Sequence, residues 1–145
     1  MLLPNTSNLL AHVYPFKSAS RNLWWHNFKQ KKNLSPSSIQ GYALIDTGAS
    51  VLCVDEGVLR ELGLSPFGSA RVSTPNGDVE QGIYPVALSF PGTDIEAIPL
   101  ARCLGANLAS QHQPPLETIA LIGRDTLRGC VLIYNGKDAS FTFAY

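Results

Sequence analysis

The chain has 145 residues, of which 45 % are hydrophobic and 15 % are charged, and its formal net charge at pH 7 is zero. This is the composition of a globular protein, and it gives no reason to expect a nucleic-acid partner. The longest apolar runs have the length of strands, which argues against a membrane span.

Cysteine and histidine positions argue against a metal site. Cys53, Cys103 and Cys130 lack the CxxC spacing of zinc ligands, and the three histidines lie far apart in the sequence. An odd number of cysteines without paired spacing also argues against a disulfide framework. We therefore expect buried cysteines that act as small hydrophobic residues, no metal or other cofactor, and a reducing compartment, the cytoplasm.

The N-terminal region begins with a predicted strand from Leu9 to Tyr14 and continues with a predicted helix from about Arg21 to Lys32, capped by Ser18 or Ser20. Every charged residue before Asp46 is basic. Such a stretch is found in transit peptides and nucleic-acid-binding arms, but we favour a solvated basic face on the helix.

The middle of the chain alternates strands and one helix. A mostly apolar strand is predicted from Gly41 to Ile45, and an extended segment from Val51 to Val54. Asp55 then opens a short helix that runs to Leu62, and Gly63 closes it.

Turn chemistry marks the next elements. The residues Pro75-Asn76-Gly77-Asp78 divide the segment from Arg71 to Phe90 into two alternating strands, which predicts a hairpin. A second strand pair is predicted around residues 91–94, with 95–104 returning, and a polar loop from 106 to 115.

The C-terminal region contains an apolar strand from Thr118 to Ile122, a brief helix from Asp125 to Arg128 and a hairpin around Asn135-Gly136. Many short strands with two or three short helices predict a mostly β fold. We see no internal repeat and no linker, so residues 1–145 are expected to form one domain. In it, 1–38 are expected to supply a strand and a helix, and 39–145 the rest of the fold.

The stretch A-L-I-D-T-G-A-S, residues 43–50, ends an apolar strand with a carboxylate. A buried carboxylate is costly, so Asp46 needs hydrogen-bond donors or a chemical role. Peptide hydrolysis is such a role, because two adjacent carboxylates share one proton and act as base and acid near the same pH. Gly48 suits this loop, since its backbone can approach a carboxylate closely and donate an N–H.

A second segment, I-A-L-I-G-R-D-T-L at 119–127, is also an apolar strand that ends in a glycine-containing turn. Together the two segments resemble the retropepsin-like aspartic peptidases, closest to the single-domain bacterial members, over roughly residues 40 to 145. The resemblance implies a closed β-barrel or sandwich and aspartic endopeptidase activity. It also implies catalytic roles for Asp46, Thr47 and Gly48, with the Thr47 hydroxyl bonding across to a partner loop.

The chain contains one Asp-Thr-Gly triplet. Asp125-Thr126-Leu127 is not a second copy, because it lacks the glycine and falls at the start of a helix. One carboxylate cannot form the pair, whereas two chains related by a two-fold axis can. An enzyme of this kind is therefore expected to be a homodimer, and the apolar C-terminal hairpin is a candidate for its interface.

The resemblance also implies where a peptide substrate binds. The turn-rich hairpin corresponds to the family's flap, a mobile hairpin that covers the carboxylates and binds an extended peptide by strand addition. An ordinary surface hairpin is the alternative. The expected substrate-binding residues are Ala49, Ser50, Thr74, Pro75, Asn76, Gly77 and Ile122, and Val51, Val72 and Ile83 are expected to line apolar pockets with Ile122.

One departure from the retroviral pattern concerns Arg124. That pattern has an acid two residues after the glycine of Asp-Thr-Gly, where this chain has Ser50, so the usual partner of the arginine is missing. Asp125, Asp55 or Glu56 could replace it, or Ser50 could accept a hydrogen bond. Ser50 could alternatively support the outer oxygen of the catalytic carboxylate.

Two other functions fit parts of the pattern. A phosphate-binding loop of the actin and sugar-kinase type also ends a strand in an Asp-x-Gly sequence, but such folds need two large domains and this chain is too short. A catalytically silent retropepsin-like module for dimerisation or peptide binding remains an alternative. The favoured prediction is a peptide-cleaving homodimer without a cofactor, nucleic-acid partner or membrane association.

Overall fold

The computed structural model describes residues 2–3, 8–16, 37–74, 77–111 and 117–144. Most of these residues lie in strands. The strands are β1 (Leu2–Leu3), β2 (Asn8–Pro15), β3 (Ile39–Ile45), β4 (Cys53–Asp55), β5 (Gly68–Thr74), β6 (Gly77–Ser89), β7 (Ile98–Ala106), β8 (Thr118–Ile122), β9 (Val131–Asn135) and β10 (Ser140–Ala144). The helices of the described ranges are α1 (Glu56–Glu61) and α2 (Arg124–Leu127), with a 3-10 turn at Ala109–Gln111.

Six strands form a closed barrel, which confirms the mostly β prediction. Their order is β2-β3-β8-β4-β7-β6, and β2 also pairs with β6, with His12 opposite Ser89, so that the sheet closes on itself. Closure pairs the two edges that an open sheet would expose. β5 extends from β6 as a hairpin arm, and β1, β10 and β9 form a separate three-stranded sheet.

Two parallel strands set up the candidate site. β3 runs parallel to β8, with Ile45 opposite Ile122, so both strands end at the same edge of the sheet. Asp46 follows β3 and Gly123 follows β8, and the two turns therefore meet. β4 then pairs antiparallel with β8 and parallel with β7, which returns the chain alongside the Asp46 loop.

Apolar side chains fill the barrel. In β2 the alternate residues Leu9, Ala11 and Val13 are almost fully buried, as expected for a strand with one face on a core. α1 covers the core with Val58 and Leu59. The largest fully buried side chains are Leu52, Leu59, Leu88, Ile119, Ile122, Val13, Val54, Val86, Thr118 and Cys103.

Helix α1 has the predicted termini. The Asp55 carboxylate caps it by accepting the N–H of Gly57 at 2.8 Å. Gly63, with φ +68°, takes the left-handed conformation that follows many helices. The predicted boundaries at Asp55, Leu62 and Gly63 are confirmed.

Other boundaries shift by a few residues. The strand Thr118–Ile122 is confirmed, whereas the hairpin begins at Gly68 rather than Arg71, because residues 68–70 also pair with β6. β7 runs to Ala106, past the predicted end at 104, because its last residues pair with β4. The predicted helix at 21–32, with Trp24 and Trp25, lies outside the described residues.

Candidate active site

The carboxylate of Asp46 is held by its own turn. Its Oδ1 accepts the N–H of Gly48 at 2.8 Å and the N–H of Ala49 at 3.2 Å. A Cβ on residue 48 would lie 3.1 Å from Oδ1, so glycine permits this close approach. No described residue donates a hydrogen bond to Oδ2, and Asp46 is half-buried. One carboxylate oxygen is therefore fixed by the backbone, and the other is open to a further group.

Backbone groups at the start of α2, which follows β8, hydrogen-bond to the same turn. Arg124 donates its backbone N–H to Ala49 O at 3.0 Å, and Asp125 donates its own to Ser50 O at 3.2 Å. In return, the Oδ2 atom of Asp125 accepts the N–H of Leu52 at 3.0 Å. Gly123 must be glycine because a Cβ there would overlap the backbone of Val51. The two glycine-containing turns thus form one hydrogen-bonded unit.

The partner of Arg124 is the loop itself. Its Nη1 donates to Thr47 O at 2.9 Å and to Gly48 O at 3.1 Å, and its Nη2 donates to Ser50 Oγ at 2.9 Å. Of the predicted alternatives, Ser50 is the acceptor, and it bonds to the guanidinium rather than to Asp46. Asp125 is engaged by Leu52, and Asp55 caps α1 and accepts the N–H of Leu108 at 3.0 Å.

A cleft of about 720 Å³ opens beside the loop. The loop contributes Gly48, Ala49 and Ser50 to its wall, and the β5–β6 hairpin contributes Val72 and Ile83. Further lining residues are Val51, Cys53, Ala70, Arg71, Ser73, Arg102, Cys103, Leu104 and Asp125. Its volume and its mixed apolar and polar lining are in the range of ligand-binding clefts.

The β5–β6 hairpin beside the cleft has one apolar face and one polar face. Alternation and the β5–β6 register place Ala70, Val72 and Val79 on one face, and Val72 lies directly opposite Val79. The other face carries paired polar groups: Ser73 Oγ donates to Asp78 Oδ1 at 2.7 Å, and Arg71 Nε lies 3.5 Å from Asp78 Oδ2. Both faces contribute to the wall of the cleft: Ala70 and Val72 from the apolar face, and Arg71 and Ser73 from the polar face.

A second cavity, of about 320 Å³, lies on the other side of the loop. It is lined by Ile45, Thr47, Leu132, Tyr134 and Phe141. Thr47 is exposed, and its hydroxyl makes no hydrogen bond with any described residue. The Asp-Thr-Gly turn therefore lies between the cleft and the β9–β10 hairpin.

The thiols in the cleft are held protonated. Burial raises the pKa of Cys53 to about 11, and the carboxylates of Asp125 and Asp46 add to this. Burial likewise raises the pKa of Cys103 to about 12, although a hydrogen bond with the backbone of Tyr84 opposes the shift. A nucleophilic cysteine needs the opposite shift, so thiolate chemistry in this cleft is disfavoured at neutral pH.

The structure brings most predicted site residues to one place. Asp46, Thr47, Gly48, Ala49 and Ser50 form the turn. Ile122 is fully buried beneath it and lines neither cavity, and its carbonyl accepts the N–H of Asp46 at 3.1 Å. At the hairpin tip, Thr74 Oγ1 donates to Gly77 O at 2.7 Å; Pro75 and Asn76 lie outside the described residues. 

Eight of the residues that line the cleft were not predicted from the sequence to do so, namely Cys53, Ala70, Arg71, Ser73, Arg102, Cys103, Leu104 and Asp125. No sequence pattern marked them as a group, because they come from β4, β5, β7 and α2, which only the fold brings together. Within the described ranges, no group of three or more His, Cys, Asp or Glu side chains is placed to hold a metal ion. No helix there is both long and apolar enough to cross a bilayer.

Among known proteins, the likenesses are to solved structures. No protein-family model matches the chain, and no curated protein matches it. The solution structure of Simian Foamy Virus (mac) protease is similar over 83 % of this chain and 91 % of that chain, with 16 % sequence identity and a TM-score of 0.46. At this identity and TM-score, the likeness carries no information about activity.

Proposed function

We propose that the chain is a retropepsin-like aspartic endopeptidase that cleaves peptide bonds as a homodimer. The observation that carries the proposal is the Asp46 carboxylate, which two backbone N–H groups hold in a turn whose residues Gly48, Ala49 and Ser50 line a cleft of about 720 Å³. The proposal treats residues 1–145 as one domain with its catalytic core at 39–145. It places the enzyme in the cytoplasm, where unpaired cysteines are ordinary.

Asp46 has the geometry of half a catalytic pair. Its Oδ1 is fixed by Gly48 and Ala49, while no described residue occupies Oδ2. A single carboxylate cannot at once take a proton from water and deliver one to the departing nitrogen. Two carboxylates that share one proton can, because one is ionised while the other is protonated. The missing half is proposed to come from an identical chain.

The face beside Thr47 is suited to receive that second chain. β9 has no partner on its outer edge among the described strands, and Val131, Ile133 and Tyr134 are 60 %, 59 % and 65 % exposed. The strand carries no charge and no proline, the usual protections of a free edge. Pairing of β9 with its own copy is antiparallel and two-fold symmetric. The cavity formed with Thr47 places this edge next to the catalytic turn.

The substrate is proposed to lie extended in the cleft. β5 has a free outer edge in the described part of the chain, and its residues 70–73 line the cleft together with Ala49 and Ser50. Main-chain hydrogen bonds to an edge strand bind peptides with little dependence on sequence, and side-chain pockets add selectivity. We assign the flap role to this hairpin, including its tip at 74–77.

The reaction follows from the paired carboxylates. The ionised carboxylate takes a proton from a water held between the two, and the water oxygen attacks the peptide carbonyl carbon. The protonated carboxylate hydrogen-bonds the carbonyl oxygen as the tetrahedral intermediate forms. Breakdown of the intermediate breaks the C–N bond and transfers a proton to the amine. The backbone donors of Gly48 and Ala49 keep the carboxylate oriented throughout.

Peptide-library cleavage at mildly acidic pH tests the proposal. The wild type is expected to cut, Asp46→Asn to lose all cleavage, and Asp94→Asn, an exposed aspartate in the turn after β6, to remain active. Sedimentation is expected to show a dimer at the concentrations at which cleavage occurs. Cleavage that survives in Asp46→Asn would contradict the assignment, and peptide binding without cleavage would support the silent module instead.

A further inference from the structure

Arg102 is the charged side chain of the cleft that has no partner among the described residues. Arg71 pairs with Asp78, and both oxygens of Asp125 accept N–H groups, from Leu52 and Thr126. Arg102 is exposed, lines the cleft, and has no hydrogen-bond or ion-pair partner within the described residues. The Arg102 guanidinium is therefore free to bind a ligand.

A β-bulge aims Arg102 at the cleft. Tyr84 lies opposite Cys103 and Val86 lies opposite Leu100, so β7 has two residues, 101 and 102, against the single Pro85 of β6. Proline has no N–H to donate, which makes this the natural point for the ladder to break. The extra residue changes which side chains face the core. Bulges of this kind often redirect a side chain beside a functional site.

The neighbours of Arg102 define a mixed pocket. Leu104, two residues along β7, shares its face, and the register places Ile83 and Cys53 opposite Leu104. All of them line the cleft. The site thus offers a short apolar floor with a cation at one end, which fits a carboxylate on an aliphatic stem.

We propose that Arg102 is a specificity-determining residue that selects peptides with an acidic side chain, glutamate or aspartate, near the scissile bond. This rests on the proposed function, because it assumes that the substrate lies in this cleft. A guanidinium donates two parallel N–H groups to the carboxylate of a peptide's acidic side chain. A glutamine or lysine side chain at the same position of the peptide cannot form this charged pair. 

The test uses matched peptides that differ at one position, with Glu, Gln or Lys placed in turn at each site around the scissile bond. At one site, kcat/KM is expected to be about tenfold higher for Glu than for Gln, the effect of one charge-assisted hydrogen bond. Arg102→Ala is expected to bring the ratio to near one, and Arg102→Glu to favour Lys. Arg60→Ala, which removes an exposed arginine on α1, is expected to keep the preference for Glu.

Equal cleavage of the Glu and Gln peptides by the wild type at every site overturns the inference. So does a Glu preference that Arg102→Ala leaves intact. If no peptide is cleaved, the proposed activity fails separately, and binding of the same labelled peptides is measured by fluorescence anisotropy. A Glu preference in binding that depends on Arg102 then supports the inference, whereas equal binding of the two peptides overturns it.

Discussion

Arg124→Met is the substitution that tests how the turn carrying Asp46 is held. Methionine keeps much of the aliphatic length but removes the guanidinium and its three hydrogen bonds, to Thr47 O, Gly48 O and Ser50 Oγ. All three acceptors belong to the turn that carries Asp46. The loss of these bonds therefore loosens the carboxylate without touching it.

The magnitude follows from the number and exposure of these bonds. A hydrogen bond to a charged group is worth about 1.5–3 kcal/mol when well buried, and exposed charged pairs are worth about 1 kcal/mol or less. Arg124 is exposed, so the three bonds together are expected to contribute about 2 kcal/mol to the free energy of unfolding. For a protein of this size, that corresponds to a fall in Tm of about 4–8 °C.

Catalysis is expected to suffer more than stability. Displacement of a reacting group by about 1 Å can lower the rate about a hundredfold, so kcat/KM of Arg124→Met is expected to fall by at least about tenfold. Ser50→Ala, which removes one acceptor of three, is expected to have about a third of the effect on stability. Ser50→Asp turns that contact into an ion pair and is expected to stabilise the fold by about 0.5 kcal/mol.

Thermal unfolding and steady-state cleavage of one peptide measure both effects. The matched control is Arg128→Met, because the exposed Arg128 side chain has no hydrogen-bond or ion-pair partner among the described residues. If Arg124→Met and Arg128→Met have the same Tm and the same kcat/KM, the Arg124 guanidinium does not hold the turn and this account is refuted.

Three further predictions concern other parts of the molecule. Gly123→Ala places a Cβ in the backbone of Val51 and is expected to destabilise the fold by about 3 kcal/mol in urea unfolding; an unchanged midpoint would contradict the close approach. Ile133→Asp, 59 % exposed, is expected to raise the dimer dissociation constant at least about tenfold in sedimentation, whereas Phe67→Asp, at a similarly exposed apolar residue, is not. Because burial raises the pKa of Cys53 to about 11, the rate of its alkylation is expected to rise about tenfold per pH unit up to that value. Peptide mass spectrometry measures this rate, and a plateau near pH 8.5 would show an unperturbed thiol.

The local part of this fold could be predicted from the sequence. The run at 119–122 is apolar, short and bounded by a glycine, which favours a strand over a buried helix, and the structure has a strand there. Asp55 and Gly63 are typical end residues of a helix, and the structure uses them so. These signals depend on neighbours a few residues away, which the sequence displays directly.

The rest depends on contacts that residue types do not encode. The partners of Arg124 include two backbone carbonyls, and every residue carries one, so no sequence pattern distinguishes those of Thr47 and Gly48. The β2–β6 pairing that closes the barrel joins segments far apart in the chain. The residue Ile122 shows the limit in another way, since an isoleucine beside a predicted active site fits a pocket wall and a core equally well.

The hydrogen bonds show which groups of the proposed dimer orient the carboxylate and which are left to bind the second chain. The same chain that carries the carboxylate supplies both N–H donors to Asp46 Oδ1. It also supplies the backbone hydrogen bonds from α2 to the turn and the guanidinium of Arg124. A single chain therefore orients its carboxylate before any partner arrives. The unbonded Thr47 hydroxyl and the open Oδ2 are the groups left for a second chain. Dimerisation then has to bring two preformed turns together rather than build them, and little reorganisation remains at the moment of catalysis.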